Sequence, residues 1–234
     1  MAPGGSEAPA AGEWRGEPRA VLPPQVWWGD ADSVEHLRRW QRERVEQGLP
    51  EITHVCNVAA NAVQLRGGQR LDGVAYLELE MVDAHMTTGT GLWARTAGQL
   101  RHAVAFVSEA VAHEGVVLVN CWAGQNRSGA VLLAWLLAHR CGAARPLGFT
   151  PEGALNHLRR IEPAALNNET LRECALEVAG ALSGAGATAG LPVPDFWELD
   201  LPAIRAKATT AEPFEEEAGD MEDDPFAMLG GMVV

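Results

Sequence analysis

Lysine is almost missing from this chain: Lys207 stands alone beside 17 arginines in 234 residues. Tyrosine occurs once, as Tyr76, and the longest apolar run, Ala130–Ala138, has nine residues, about half of the roughly 18 that a membrane span requires. The opening MAPGGSEAPAAGEWRGEPR has no apolar stretch and does not read as a secretory signal. The expectation is a soluble protein without membrane partners, in the cytoplasm, with the nucleus as the alternative compartment. Cysteine is scarce too. Cys56, Cys121, Cys141 and Cys174 form no Cys-x2-Cys pair and no matching Cys/His spacing, which argues against a structural zinc site. A disulfide framework is not expected in a chain this long without a signal peptide. Neither a metal nor another cofactor is expected, and reduced thiols are, one of them a candidate for reactivity.

What is abundant is acid, and it is unevenly placed. The net charge is −13, of which −9 falls on residues 183–234 and only −3 on residues 21–182. A near-neutral middle argues against nonspecific nucleic-acid binding. The chain divides by composition into a disordered segment 1–20, rich in Ala, Pro and Gly, a domain 21–182, and a linker with an acidic tail, 183–234. Within the tail, DFWELDLPAI (195–204) has two readings, folding back on the core through Phe196, Trp197 and Ile204 or docking a partner.

Between those ends, strands alternate with helices. QVWW (25–28) reads as a strand and Gly29-Asp30 as a turn, with Ser33 capping a helix over VEHLRRWQRERVEQG. The interleaved acids make the arginines of that helix a solvated face rather than a phosphate or RNA patch. ITHVCNVA (52–59) and VAYLELE (74–80) are further strands, and 96–113 has helical periodicity. VVLV (116–119) is a strand buried on both faces, followed by the all-round apolar helix SGAVLLAWLLAHR from Ser128. Helices at about 151–160 and 168–182 complete an α/β fold, a single domain with a mostly parallel central sheet flanked by helices.

The informative stretch is NCWAGQNRSG (120–129), wedged between the buried strand and the buried helix. A loop that leads into a helix N-terminus turns successive backbone N–H groups inward, and with the helix dipole they make an anion site matched to phosphate. The same field favours a thiolate at Cys121. Arg127 can hold two phosphoryl oxygens through its planar fork, and Gly124 permits the backbone path.

These residues resemble the signature His-Cys-x5-Arg-Ser/Thr of the cysteine-dependent protein phosphatases, and within them the atypical dual-specificity branch. The resemblance runs over about 25–182: QVWWGD is similar to the family's opening strand and turn, YLELEMVD to the strand leading to its general acid, and RRIEPAALNNETLRECAL to its closing helical region. It implies a protein-tyrosine-phosphatase-like fold and hydrolysis of phosphotyrosine and phosphoserine or phosphothreonine on proteins through a phosphocysteine. It makes Asp83 the acid, Cys121 the nucleophile, Arg127 the phosphate clamp and Ser128 the hydroxyl that eases loss of phosphate from sulfur. Trp122, Ala123, Gly124, Gln125, Asn126 and Arg127 line the substrate's phosphate. Two features depart from the pattern. Asn120 stands in the place of the histidine, and 37 residues separate Asp83 from Cys121, the excess falling in AHMTTGTGLW (84–93), which reads as a mobile loop. His85, Glu78 and Glu80 are poorer substitutes for the acid, since both Glu lie in a predicted strand. The alternatives to an active protein phosphatase are a weak or inactive phosphate-binding relative, an RNA 5′-phosphatase and a phosphoglucan phosphatase. The partner expected is a phosphoprotein substrate, with a docking partner for the tail as a further option.

Overall fold

In the computed structural model the described residues are 16–65, 69–138, 140–141, 145–146 and 149–183, all within the unit Met1–Asp200. The expected linker and acidic tail lie outside them beyond Ser183. Strand β1 (Arg19–Leu22) is followed by β2 (Val26–Gly29), α1 (Ala31–Glu35), α2 (Leu37–Glu46), β3 (His54–Asn57), β4 (Ala75–Glu78), α3 (Gly91–Ala112), β5 (Val117–Asn120) and α4 (Arg127–Ala138). After a short ribbon of β6 (Arg140–Cys141) and β7 (Arg145–Pro146) come α5 (Pro151–Ile161) and α6 (Glu169–Leu182). The five-stranded sheet has the order β1-β2-β5-β3-β4, with β1 antiparallel and every other pairing parallel. The expected α/β fold with a mostly parallel sheet is the one observed.

Alternation along the strands sorts the core into two layers. Val26, Trp28, Cys56, Val117 and Val119 face α3, α4, α5 and α6, while Val55, Val116 and Leu118 face Val34 and Leu37 of α1 and α2. Helix α4 lies at the centre of the larger layer and is buried without a break from Arg127 to Leu136, which is why its sequence carries no polar stripe. Parallel pairing brings Gly29, Asn120 and Asn57 into one row at the C-terminal edge of β2, β5 and β3, the edge where open α/β sheets bind their ligands.

Four expectations need correction. The boundary at residue 20 falls inside β1, where Arg19 and Ala20 pair with Trp28 and Trp27; Arg19 is held further by the Ile161 carbonyl at 2.6 Å and Glu162 at 2.8 Å. The first helix is capped by Asp30, whose side chain accepts from the Ser33 N–H at 2.9 Å. Ser33 is the reciprocal member of the capping box, and the helix breaks at His36 into α1 and α2. Third, 84–93 is not wholly a loop: Thr90 caps α3, Gly91 to Trp93 form its first turn, and Met86 and Trp93 are buried. Fourth, the arginines of α2 are not all solvated. Arg38, Arg39 and Arg42 are exposed, but Arg44 is buried under the Trp27 ring, 4.3 Å from its centroid, with its Nε donating to the Pro50 carbonyl at 2.8 Å. Burial lowers the pKa of that guanidinium from its ordinary value.

No helix of the described residues is long and apolar enough to cross a membrane, and among those residues no group of His, Cys, Asp and Glu could hold a metal ion.

Candidate active site

The site grows from the end of β5. Asn120 is the last strand residue and Cys121 turns off the sheet with 1% exposure, directly under the loop that enters α4 at Arg127. The loop's carbonyls are pulled away from its centre. The Trp122 carbonyl accepts from the Ala31 N–H at 3.1 Å, that of Gln125 from Leu166 at 3.5 Å, and that of Asn126 from Ala130 at 2.8 Å. The N–H groups of 122–126 have no acceptor among the described residues. A cup of free amides at the start of a twelve-residue helix is a site for an oxyanion.

Gly124 makes the turn possible. Its φ is +61°, and a Cβ there would sit 3.0 Å from the Gly29 carbonyl oxygen and 3.3 Å from Asp30 Cβ. Any side chain would therefore be strained in its backbone and crowded against Gly29 and the cap of α1. Asp30, on the far side of that contact, is buried, and desolvation raises its carboxyl above the ordinary range, opposed in part by the hydrogen bonds from Ser33.

Four hydrogen bonds build the surroundings of the nucleophile candidate. The Ser128 hydroxyl donates to Cys121 Sγ at 3.1 Å, and the Ser128 oxygen accepts from the Trp28 indole N–H at 2.8 Å. Behind them, Asn120 Nδ2 donates to Asn57 Oδ1 at 3.3 Å, and Asn57 in turn donates to the Val63 carbonyl at 2.7 Å. Asn120 Oδ1 is buried without a partner. Arg127 is 9% exposed; its Nη1 donates to the Met81 carbonyl at 3.4 Å, while its Nε has no partner. The other thiols with described side chains are poor nucleophiles: burial pushes Cys174 up to about 11 and Cys56 higher still.

Asp83 reaches the loop despite the long intervening segment. Its Oδ2 accepts from Asn126 Nδ2 at 3.2 Å and its Oδ1 from Asn168 Nδ2 at 2.9 Å. Asn168 is the N-cap of α6, accepting from the Leu171 N–H, and its own N–H donates to Asn126 Oδ1 at 3.2 Å. Thr170, two residues on, accepts from the Met86 N–H at 3.1 Å. Of the substitute acids, Glu78 is paired with Arg70 on β4, Glu80 lies 4.0 Å from Arg95 on the surface, and His85 is exposed. Trp122 and Ala123 form the exposed lip of the loop, Trp122 at 57% exposure, and Gln125 and Asn126 are half-buried.

The structure thus brings Asp83, Asn126, Cys121, Arg127 and Ser128 to one place. It adds Trp28, Asn57 and Asn168, which the sequence reading did not assign to the site. Asn168 carried a usable signal, an Asn before Glu at a helix start. The contacts of Trp28 and Asn57 span 100 and 63 residues and carried none.

The family model for the dual specificity phosphatase catalytic domain matches residues 44–166, just over half of the chain. The chain belongs to that family. It is accordingly a member of a phosphatase family, and solved structures share its fold. Tk-PTP in its active form is 21% identical with a TM-score of 0.51, covering 73% of this chain and 98% of its own. The human tyrosine phosphatase-like serine/threonine/tyrosine-interacting protein is 19% identical with a TM-score of 0.53, covering 71% and 98%. A mouse dual specificity phosphatase complexed with zinc tungstate is 24% identical with a TM-score of 0.51, covering 80% and 99%. No curated protein matches the chain by sequence.

Proposed function

We propose that the chain hydrolyses phosphate monoesters of proteins, on tyrosine and on serine or threonine, through a phosphocysteine at Cys121. The observation that carries this reading is the Cys121 sulfur, held by the Ser128 hydroxyl at 3.1 Å beneath a loop of free amides. The thiolate attacks phosphorus in line as the ester P–O bond breaks, and the leaving oxygen takes a proton from the Asp83 carboxyl. Water then attacks the phosphocysteine and gives a proton to the Asp83 carboxylate. The S–P bond breaks, phosphate departs and the thiolate is restored. Arg127 and the loop amides stabilise the equatorial oxygens in both steps. The exposed Trp122 ring beside the cup offers an aryl leaving group a flat apolar surface.

Asn120 supports a slow enzyme. It braces the loop through Asn57 but brings no charge toward the sulfur.

The test is burst kinetics on aryl and alkyl phosphates with wild type and Asp83→Asn. Removing the acid should slow phosphoryl transfer by about 10²-fold or more with alkyl esters, whose oxygen needs the proton, and far less with good aryl leaving groups. Equal losses across the series would assign Asp83 a purely structural role.

A further inference from the structure

We propose that Trp28 is a positioning residue for Ser128: its indole N–H occupies a lone pair of the Ser128 oxygen and so turns the hydroxyl proton toward the Cys121 sulfur. The inference rests on the reading of Cys121 as the nucleophile.

A serine hydroxyl has one proton and two lone pairs. Left to itself it can accept the S–H of a neutral thiol as readily as it can donate to a thiolate. Here the oxygen is already engaged by Trp28 Nε1 at 2.8 Å, and the one remaining proton is turned to Cys121 Sγ at 3.1 Å. Trp28 and Ser128 have no exposure and Cys121 only 1%, so no water competes for either bond. A hydrogen bond given to the charged form of a group favours that form. The directed hydroxyl therefore favours the attacking thiolate in the first step. In the second, as water bonds to phosphorus and the S–P electron pair returns to sulfur, the same O–H meets the charge that develops there.

The sequence builds this arrangement with few residues. Parallel pairing of β2 with β5 sets Trp28 opposite Val119, two residues before the nucleophile. Gly129 then clears the path, because a Cβ there would lie 3.3 Å from Cζ2 of the indole and 3.3 Å from Leu166 Cγ. A side chain at that position would push the ring off the first turn of α4, where Ser128 sits. Only a residue that joins a large apolar ring to a donor can fill the core and hold the hydroxyl, and tryptophan does both.

The experiment compares wild type, Trp28→Phe, Ser128→Ala and the double variant. It also uses a protein in which Trp28 is replaced by β-(3-benzothienyl)alanine, which keeps the shape of the indole and replaces N–H by sulfur. The readouts are the rate of iodoacetamide alkylation of Cys121 at one neutral pH and the rate of phosphocysteine hydrolysis after a burst on an aryl phosphate. Melting temperature is recorded beside them. Loss of the N–H should slow both rates about three- to tenfold, the range of one hydrogen bond. Once Ser128 is alanine, Trp28→Phe should have no further effect on them. Should Trp28→Phe fail to fold, the benzothienyl protein decides. Wild-type rates in that protein, or losses at Trp28 and Ser128 that multiply, would overturn the proposal and leave the indole as core filling. Turnover persisting in Cys121→Ser would overturn the nucleophile assignment instead, so the two failures are told apart.

Discussion

Cys121→Ser abolishes turnover, by about 10⁴- to 10⁶-fold in kcat as expected for loss of a covalent nucleophile, while the protein keeps its fold and its affinity for oxyanions. The hydroxyl is smaller than the thiol it replaces and finds the Ser128 hydroxyl within reach, so no buried group is orphaned. The loop amides and Arg127, which bind the phosphoryl oxygens, are untouched. What is lost is the nucleophile: serine has no base placed to take its proton, and the neutral hydroxyl is inert where a thiolate attacks. Cys56 and Cys174 cannot substitute, being buried elsewhere in the core and held as thiols at neutral pH. Steady-state assays on an aryl phosphate, vanadate binding and a thermal melt check the three parts together. Residual turnover near the wild-type level would end the phosphocysteine mechanism.

Arg127→Lys lowers kcat/KM by about 10²- to 10³-fold, the size of one lost transition-state contact in a shielded site, and the loss should appear in vanadate affinity too. Arg127 is the first residue of α4 and almost fully buried, with one Nη on the Met81 carbonyl and an Nε that has no protein partner. A planar fork can satisfy Met81 and still present two N–H groups to phosphoryl oxygens. An ammonium offers a point charge on a flexible stem, keeping the charge and losing the bidentate geometry. A lower melting temperature with unchanged kcat/KM would make Arg127 a structural link between α4 and Met81.

Apolar runs were legible where burial on every side decided the pattern. The strand at 116–119 is apolar on both faces because two helical layers cover it, and the helix after Ser128 is apolar all round because α3, α5 and α6 enclose it. Asp30 and Ser33 were less legible. In a capping box both residues carry the side-chain signature, and only the backbone geometry shows which one lies outside the helix. Strand β1 was missed because four residues on an antiparallel edge, preceded by Gly and Pro, leave little pattern to read; they are ordered by partners on β2 and at the end of α5. In the site, the loop from Cys121 to Ser128 was legible because its chemistry is contiguous. Asp83 had to be assigned by resemblance, and the structure supplies the physical link through Asn126 and Asn168. From the sequence Trp28 reads only as strand. Nothing in a sequence says which of two adjacent tryptophans turns its N–H to a serine one hundred residues away.

Residues 166–170 hold both halves of the site at once. Leu166 gives its N–H to the phosphate loop and sits at φ +56°, a left-handed conformation unfavourable for a leucine, with its side chain fully buried. Asn168 grips Asp83 and Asn126, and Thr170 holds the segment that follows the acid. This five-residue clasp lies 45 to 49 residues downstream of the nucleophile and bridges the two loops. An oxyanion bound over Cys121 should therefore slow amide hydrogen exchange at Leu166 and Asn168 as well as in the loop itself. Vanadate protection confined to residues 121–128 would mean that clasp and loop fluctuate independently. Shared protection would make the clasp a point from which activity can be loosened without touching any group that meets the phosphate.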